Sequence, residues 1–176
     1  MTDAQAPLRL FFALWPDAAT RAALTRLQAP LHGRPTAPLN LHLTMAFLGM
    51  QPAQVLPALH DVLNDIRLPE MTLRIDRLGY FSRARIAWAG MRHPPPSLLE
   101  LHADLTAALR QCGIGHDKEF GFRPHITLTR NAGSAPAVDD APIDPIAWRA
   151  PPLALVHSTT TPRGPIYKVL AQREPA

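Results

Sequence analysis

The chain carries one cysteine, Cys112, among 176 residues. An internal disulfide and a multi-cysteine metal cage are thereby excluded, and a thiol just before Gly113 reads as a helix-end residue rather than a nucleophile. Charge is sparse as well, at 18% of residues, and no block of consecutive basic residues marks a nucleic-acid tail. The formal charge of +4 helps attract an anion without identifying one. No stretch approaches the ~18 apolar residues of a membrane span. Met1–Pro7 lacks the basic start and apolar run of a secretory signal, so a soluble cytoplasmic protein is expected.

Proline, by contrast, is abundant, with 20 residues. Because it is kept out of helix interiors and central strands, it should mark the joints between many short elements. The apolar run Leu8–Leu14 reads as a buried strand, and Pro16 and Asp17 open a helix that ends before Gly33. Residues 33–38 read as a loop, 39–48 as a second strand and 53–66 as a helix. Met71–Phe81 and Arg85–Met91 form a hairpin pair. Leu98, Leu101, Leu105 and Leu109 share one helix face, which Gly113 stops. Another strand starts at His125, residues 131–145 read as a surface loop, and two last strands lie near 153–159 and 166–172. Strict βαβ alternation is absent and no linker divides the chain. The expectation is one domain over 1–176, of α+β class with largely antiparallel sheet.

The most informative feature is a repeat. His42-Leu43-Thr44-Met45 recurs as His125-Ile126-Thr127-Leu128, both in strand candidates and half the chain apart. Alternation along a strand puts His and Thr on one face and the two aliphatic residues on the other. If the two halves pack about a pseudo-two-fold axis, both polar pairs line one cleft. Two imidazoles can act together as general base and general acid, and two hydroxyls can support anionic oxygens. Phosphodiester hydrolysis needs both functions. Neither tetrad carries Asp, Glu or Cys, so no metal site is expected, and no cofactor.

The doubled His-x-Thr-x pattern resembles the 2H phosphoesterase superfamily. The wider blocks, Arg9–Leu14, Asn40–Gly49, Phe122–Arg130 and the tail around His157-Ser158 and Gly164-Pro165-Ile166-Tyr167, resemble its RNA 2′,3′-cyclic phosphodiesterases, also called 2′-5′ RNA ligases. That resemblance implies a bilobal fold with a cleft between pseudo-symmetric lobes. It also implies metal-independent hydrolysis of 2′,3′-cyclic phosphate ends of RNA, or of small cyclic nucleotides, to 2′-phosphomonoesters. His42 would then be the acid and His125 the base, with Thr44 and Thr127 holding phosphate oxygens. Arg130 matches a family arginine suited to phosphate, and Phe47 is a second substrate-binding candidate. Regular strand parity, however, places Arg130 with Ile126 and Leu128, and Phe47 with Leu43 and Met45, away from the histidines. Of the other histidines, His102 reads as a packing residue on its helix, and His157 is a lesser candidate for the cleft. No membrane or protein partner is expected, and the chain reads as a monomer. Two rival functions remain: a ligase or a phosphodiesterase for another cyclic nucleotide, and an RNA-binding module without turnover.

Overall fold

The computed structural model describes residues 6–117, 121–133 and 142–176. Strand β1 (Leu8–Leu14) is buried from Leu10 onward, because it runs through the middle of a sheet with a strand on either side. Asp17 then starts α1 (Ala18–Gln28), its carboxylate accepting the Thr20 N–H at 2.7 Å. A two-residue strand β2 (Arg34–Pro35) and a 3₁₀ turn (Pro38–Asn40) lead to β3 (Leu43–Gln51). Helix α2 (Leu56–Asp65) is followed by the hairpin β4 (Thr72–Phe81) and β5 (Ile86–Gly90). Helix α3 (Pro96–Gln111) has a proline in its first turn and ends at Gly113, whose φ is +69°. Then come β6 (His125–Arg130), β7 (Pro142–Arg149), β8 (Leu153–Thr161) and β9 (Gly164–Arg173).

The strands form one antiparallel sheet in the order β7-β4-β5-β6-β3-β1-β8-β9, with β2 added beside β6. The fold is α+β. Its order is symmetric about the β6–β3 junction, where the ladder holds a single pair, Leu43 opposite Ile126. These are the second residues of the two tetrads. On either side, β1–α1–β3 and β5–α3–β6 repeat the same strand–helix–strand path.

The large core joins one side of the sheet to the three helices through residues such as Phe12, Leu24, Leu59, Leu63, Leu101 and Leu105. A second, smaller cluster of Phe11, Ala13, Ala154 and Val156 includes no helical residue, and Trp15, Phe47 and Tyr167 pack against it. It forms the apolar floor of the face that carries the polar residues of the tetrads.

Strand β3 begins at Leu43 rather than 39, since Pro38–Asn40 form a 3₁₀ turn, and two further strands go beyond the sequence expectation. Residues 34–35 pair with β6 instead of looping free, since Gly33 can adopt φ +118° beside the Arg130 carbonyl. The expected loop over 131–145 gives way to β7 at Pro142; its residues 134–141 lie outside the described residues. Two prolines hide β7 from a strand reading, yet it is an edge strand, where a missing N–H is tolerated. Its Trp148 is fully buried.

Candidate functional site

Leu43 and Ile126 are fully buried under the helices, so the His and Thr on either side of each point the other way. An antiparallel register about the Leu43–Ile126 pair sets His42 towards Thr127 and Thr44 towards His125. All four side chains line one cleft of about 510 Å³.

Phe47 and Arg130 line the same cleft, against the regular-parity expectation, and one device explains both. In the β1–β3 ladder Ala13 faces Thr44 and Phe12 faces Ala46, so Met45 is an extra residue. In the β5–β6 ladder Trp88 faces Thr127 and Ala87 faces Thr129, so Leu128 is an extra residue. Each is a β-bulge at the fourth position of its tetrad, and each reverses the alternation beyond it. Met45 and Ala46 both turn into the core, as do Leu128 and Thr129, leaving Phe47 and Arg130 on the side of the histidines. Both stand five residues after their histidine. The repeat thus extends past the tetrads, with an aromatic ring in one half where the other has a guanidinium.

The imidazoles are oriented alike. His42 Nδ1–H donates to the Asn40 carbonyl at 2.6 Å, and His125 Nδ1–H donates to the Arg123 carbonyl at 2.6 Å. Each bond selects the tautomer that leaves Nε2 with a lone pair. His42 Nε2 accepts the Thr44 hydroxyl at 3.0 Å.

Their surroundings differ. Trp15 stacks on His42 at 5.6 Å and 13°, Phe11 lies at 5.0 Å, and Tyr167 meets it edge-on at 5.3 Å. His125 has Phe81 edge-on at 4.9 Å and Trp88 at 6.3 Å. Burial lowers the His42 pKa from the ordinary 6.5 to about 4, partly opposed by the Asn40 carbonyl and reinforced by His125 and Arg130. Burial, with Arg130 beside it, also lowers the His125 pKa, against the pull of the Arg123 carbonyl. Both rings are therefore neutral in the free protein at neutral pH. Burial raises the Tyr167 pKa, so its phenol stays protonated and able to donate.

Several lining residues escape a sequence reading. Arg9 sits over the Phe47 ring at 5.0 Å, and Arg34 and Tyr167 complete the walls. Arg9 and Tyr167 do fall within the resembling blocks, but only the pairing of β1 with β3 and β8 with β9 shows where they come together. Arg34 depends on the unforeseen strand β2. In β8 it is Ser158, not His157, that lines the cleft. His102 stacks on Phe122 at 3.9 Å and 5°, and Cys112 is exposed at the end of α3. Among the described residues no three His, Cys, Asp or Glu gather closely enough to hold a metal ion, and no helix is long and apolar enough to cross a membrane.

The sheet and the paired His-x-Thr strands have the form of a 2H phosphoesterase. The profile of the 2′-5′ RNA ligase superfamily matches residues 15–159, and the chain belongs to that family. The RNA 2′,3′-cyclic phosphodiesterase of Escherichia coli K12 is 41% identical over 133 residues, covering 73% of this chain and 75% of that one. Its namesake in Thermus thermophilus is 33% identical, covering 93% and 88%. The crystal structure of E. coli LigT complexed with 3′-AMP superposes with a TM-score of 0.82 at 34% identity, covering 97% of this chain and 99% of that one.

Proposed function

We propose that the protein is an RNA 2′,3′-cyclic phosphodiesterase that works by metal-independent, two-histidine acid–base catalysis. The observation that carries this reading is the juxtaposition of two His-x-Thr units across one strand pair, each imidazole held through Nδ1 by a backbone carbonyl so that its Nε2 lone pair faces the cleft side of the sheet. The names of the relatives from Escherichia coli and Thermus thermophilus support the substrate class.

His125 Nε2 takes a proton from water as the water oxygen bonds to phosphorus. The bond from phosphorus to O3′ breaks, and His42 Nε2–H delivers a proton to that oxygen, leaving a 2′-phosphomonoester. The assignment of acid and base follows the family resemblance. The Thr44 and Thr127 hydroxyls and the Arg130 guanidinium hold the non-bridging oxygens, where negative charge grows in the transition state. Because burial keeps both rings neutral in the free enzyme, the acid acquires its proton when the anionic phosphate arrives and favours the imidazolium. The sheet halves act as two lobes, each contributing one His and one Thr from the start of its innermost strand or the residue just before it.

Replacing His42 or His125 by Ala should lower turnover of a 2′,3′-cyclic nucleotide by roughly 10²–10⁴-fold, with the circular dichroism unchanged. Near-wild-type turnover in both variants would refute the mechanism. RNA binding that leaves the cyclic end intact would point to a binding module, and joined RNA fragments would point to a ligase.

A further inference from the structure

Beside the reaction cleft lies a smaller pocket of about 160 Å³ that shares Arg34, His42, Thr127 and Arg130 with it and adds Arg163. Arg34 and Arg130 are directly opposite each other in the β2–β6 ladder. Like charges facing across a strand pair destabilise it. Among the described residues no carboxylate lines the pocket or forms an ion pair with these three arginines.

Despite that repulsion the backbone segments that carry the arginines are held in place from both sides. The Arg34 segment is fastened to β6 by the Thr36 N–H on the Leu128 carbonyl at 2.8 Å. Gln28 Nε2 donates to the carbonyls of both Thr36 and Leu128 at 2.8 Å. At Gly33 an added Cβ would lie 2.6 Å from the Arg130 carbonyl oxygen, so the segment sits closer than any side chain allows. Arg163 rides on the β8–β9 turn, where its N–H donates to the Thr161 hydroxyl at 3.2 Å. Asn40 Nδ2 bridges the two walls by donating to the Pro165 carbonyl at 2.9 Å. Guanidinium groups projected towards one pocket from backbone anchored in this way suit a tetrahedral oxyanion.

We propose that Arg34, Arg163 and the shared Arg130 form a second phosphate site, which takes the phosphate on the 5′ oxygen of the nucleoside bearing the cyclic phosphate. The proposal rests on the phosphodiesterase reading and extends it. The enzyme would prefer ends that carry this further phosphate, whether a 5′-monoester or the internucleotide link of an RNA chain, over a bare cyclic nucleoside phosphate.

Three substrates test it: adenosine 2′,3′-cyclic phosphate, its 5′-phosphorylated form, and the dinucleotide ending in the same cyclic phosphate. For wild type, kcat/KM should be roughly tenfold or more higher for the two with a 5′-side phosphate, the usual size of a charge-assisted contact. In R34A/R163A that ratio should fall towards one. A gain confined to the dinucleotide and lost in the variant would assign the site to the internucleotide link. Equal kcat/KM for all three, or an advantage that survives in the variant, would overturn the proposal. Calorimetric affinity for adenosine 2′-monophosphate, with and without a 5′-phosphate, gives the same ratio without catalysis. It therefore still decides the second site if turnover of every substrate fails and the phosphodiesterase reading falls.

Discussion

Above pH 6.5 the neutral His42 ring costs the fold nothing by ionisation, but acid makes it a liability. In the unfolded chain the imidazole titrates near the ordinary 6.5, whereas in the folded protein burial lowers it to about 4. As pH falls through that window the unfolded state takes the proton first, so stability is lost between about 6.5 and 4. At about pH 4.5 the two pKa values differ in proton binding by an equivalent of about 2.5 kcal/mol. One edge of the ring opens on the cleft, and solvent there reduces the expected penalty to about 1–2 kcal/mol. His42→Gln removes the titration while keeping a side-chain N–H for the Asn40 carbonyl. Urea unfolding of both proteins at about pH 7.5 and about pH 4.5 isolates the effect of His42 together with its coupling to His125, because the carboxylates and the remaining histidines contribute to each alike. Wild type should lose about 1–2 kcal/mol more than the variant on acidification. Identical losses would show that His42 is not held neutral by its aromatic surroundings.

The same lowered pKa values place the optimum of kcat/KM on the acid side of 6.5, since the free enzyme must hold one proton on the pair, and a pH–rate profile checks this. Arg130 pushes both histidines down, so Arg130→Gln should move that optimum to higher pH as well as slow the reaction; a slower enzyme with an unmoved optimum would limit Arg130 to phosphate contact. A Cβ at Gly79 would fall 2.1 Å from Trp88, whose ring is also confined by Gly90 and lies beneath Arg77. Gly79→Ala should therefore cost about 1–3 kcal/mol in urea unfolding, and a Trp88→Ala background should remove most of that penalty. Because Trp88 and Phe81 abut His125, the single variant should also lose turnover.

The polar face of the site is legible in the sequence because a tetrad repeated at half-chain spacing is a pattern that chance seldom produces, and two-residue alternation tells which side chains share a face. That alternation fails where the pleat is interrupted. Met45 and Leu128 are ordinary core aliphatics, and nothing in their identity announces an extra residue in the ladder; the bulges exist only relative to β1 and β5. Parity accordingly sorts Phe47 and Arg130 to the wrong face, although the family blocks include both. Strands β2 and β7 are hidden by Pro35, Pro142 and Pro145, which a sheet tolerates at its margins but a local reading takes as breaks. The cationic wall is out of reach for a different reason. Arg34, Arg130 and Arg163 are far apart in the chain, and only the latching of β2 and of the β8–β9 turn brings them together.

Metal-free two-histidine catalysis is tested most directly by hydrolysis of a 2′,3′-cyclic nucleotide by the purified protein in excess EDTA, with the product's phosphate position assigned by phosphorus NMR. Two-histidine catalysis without a metal predicts a 2′-phosphomonoester formed at the same rate with and without the chelator. A rate abolished by EDTA and restored by a divalent cation, or a 3′-phosphate product, would contradict the account.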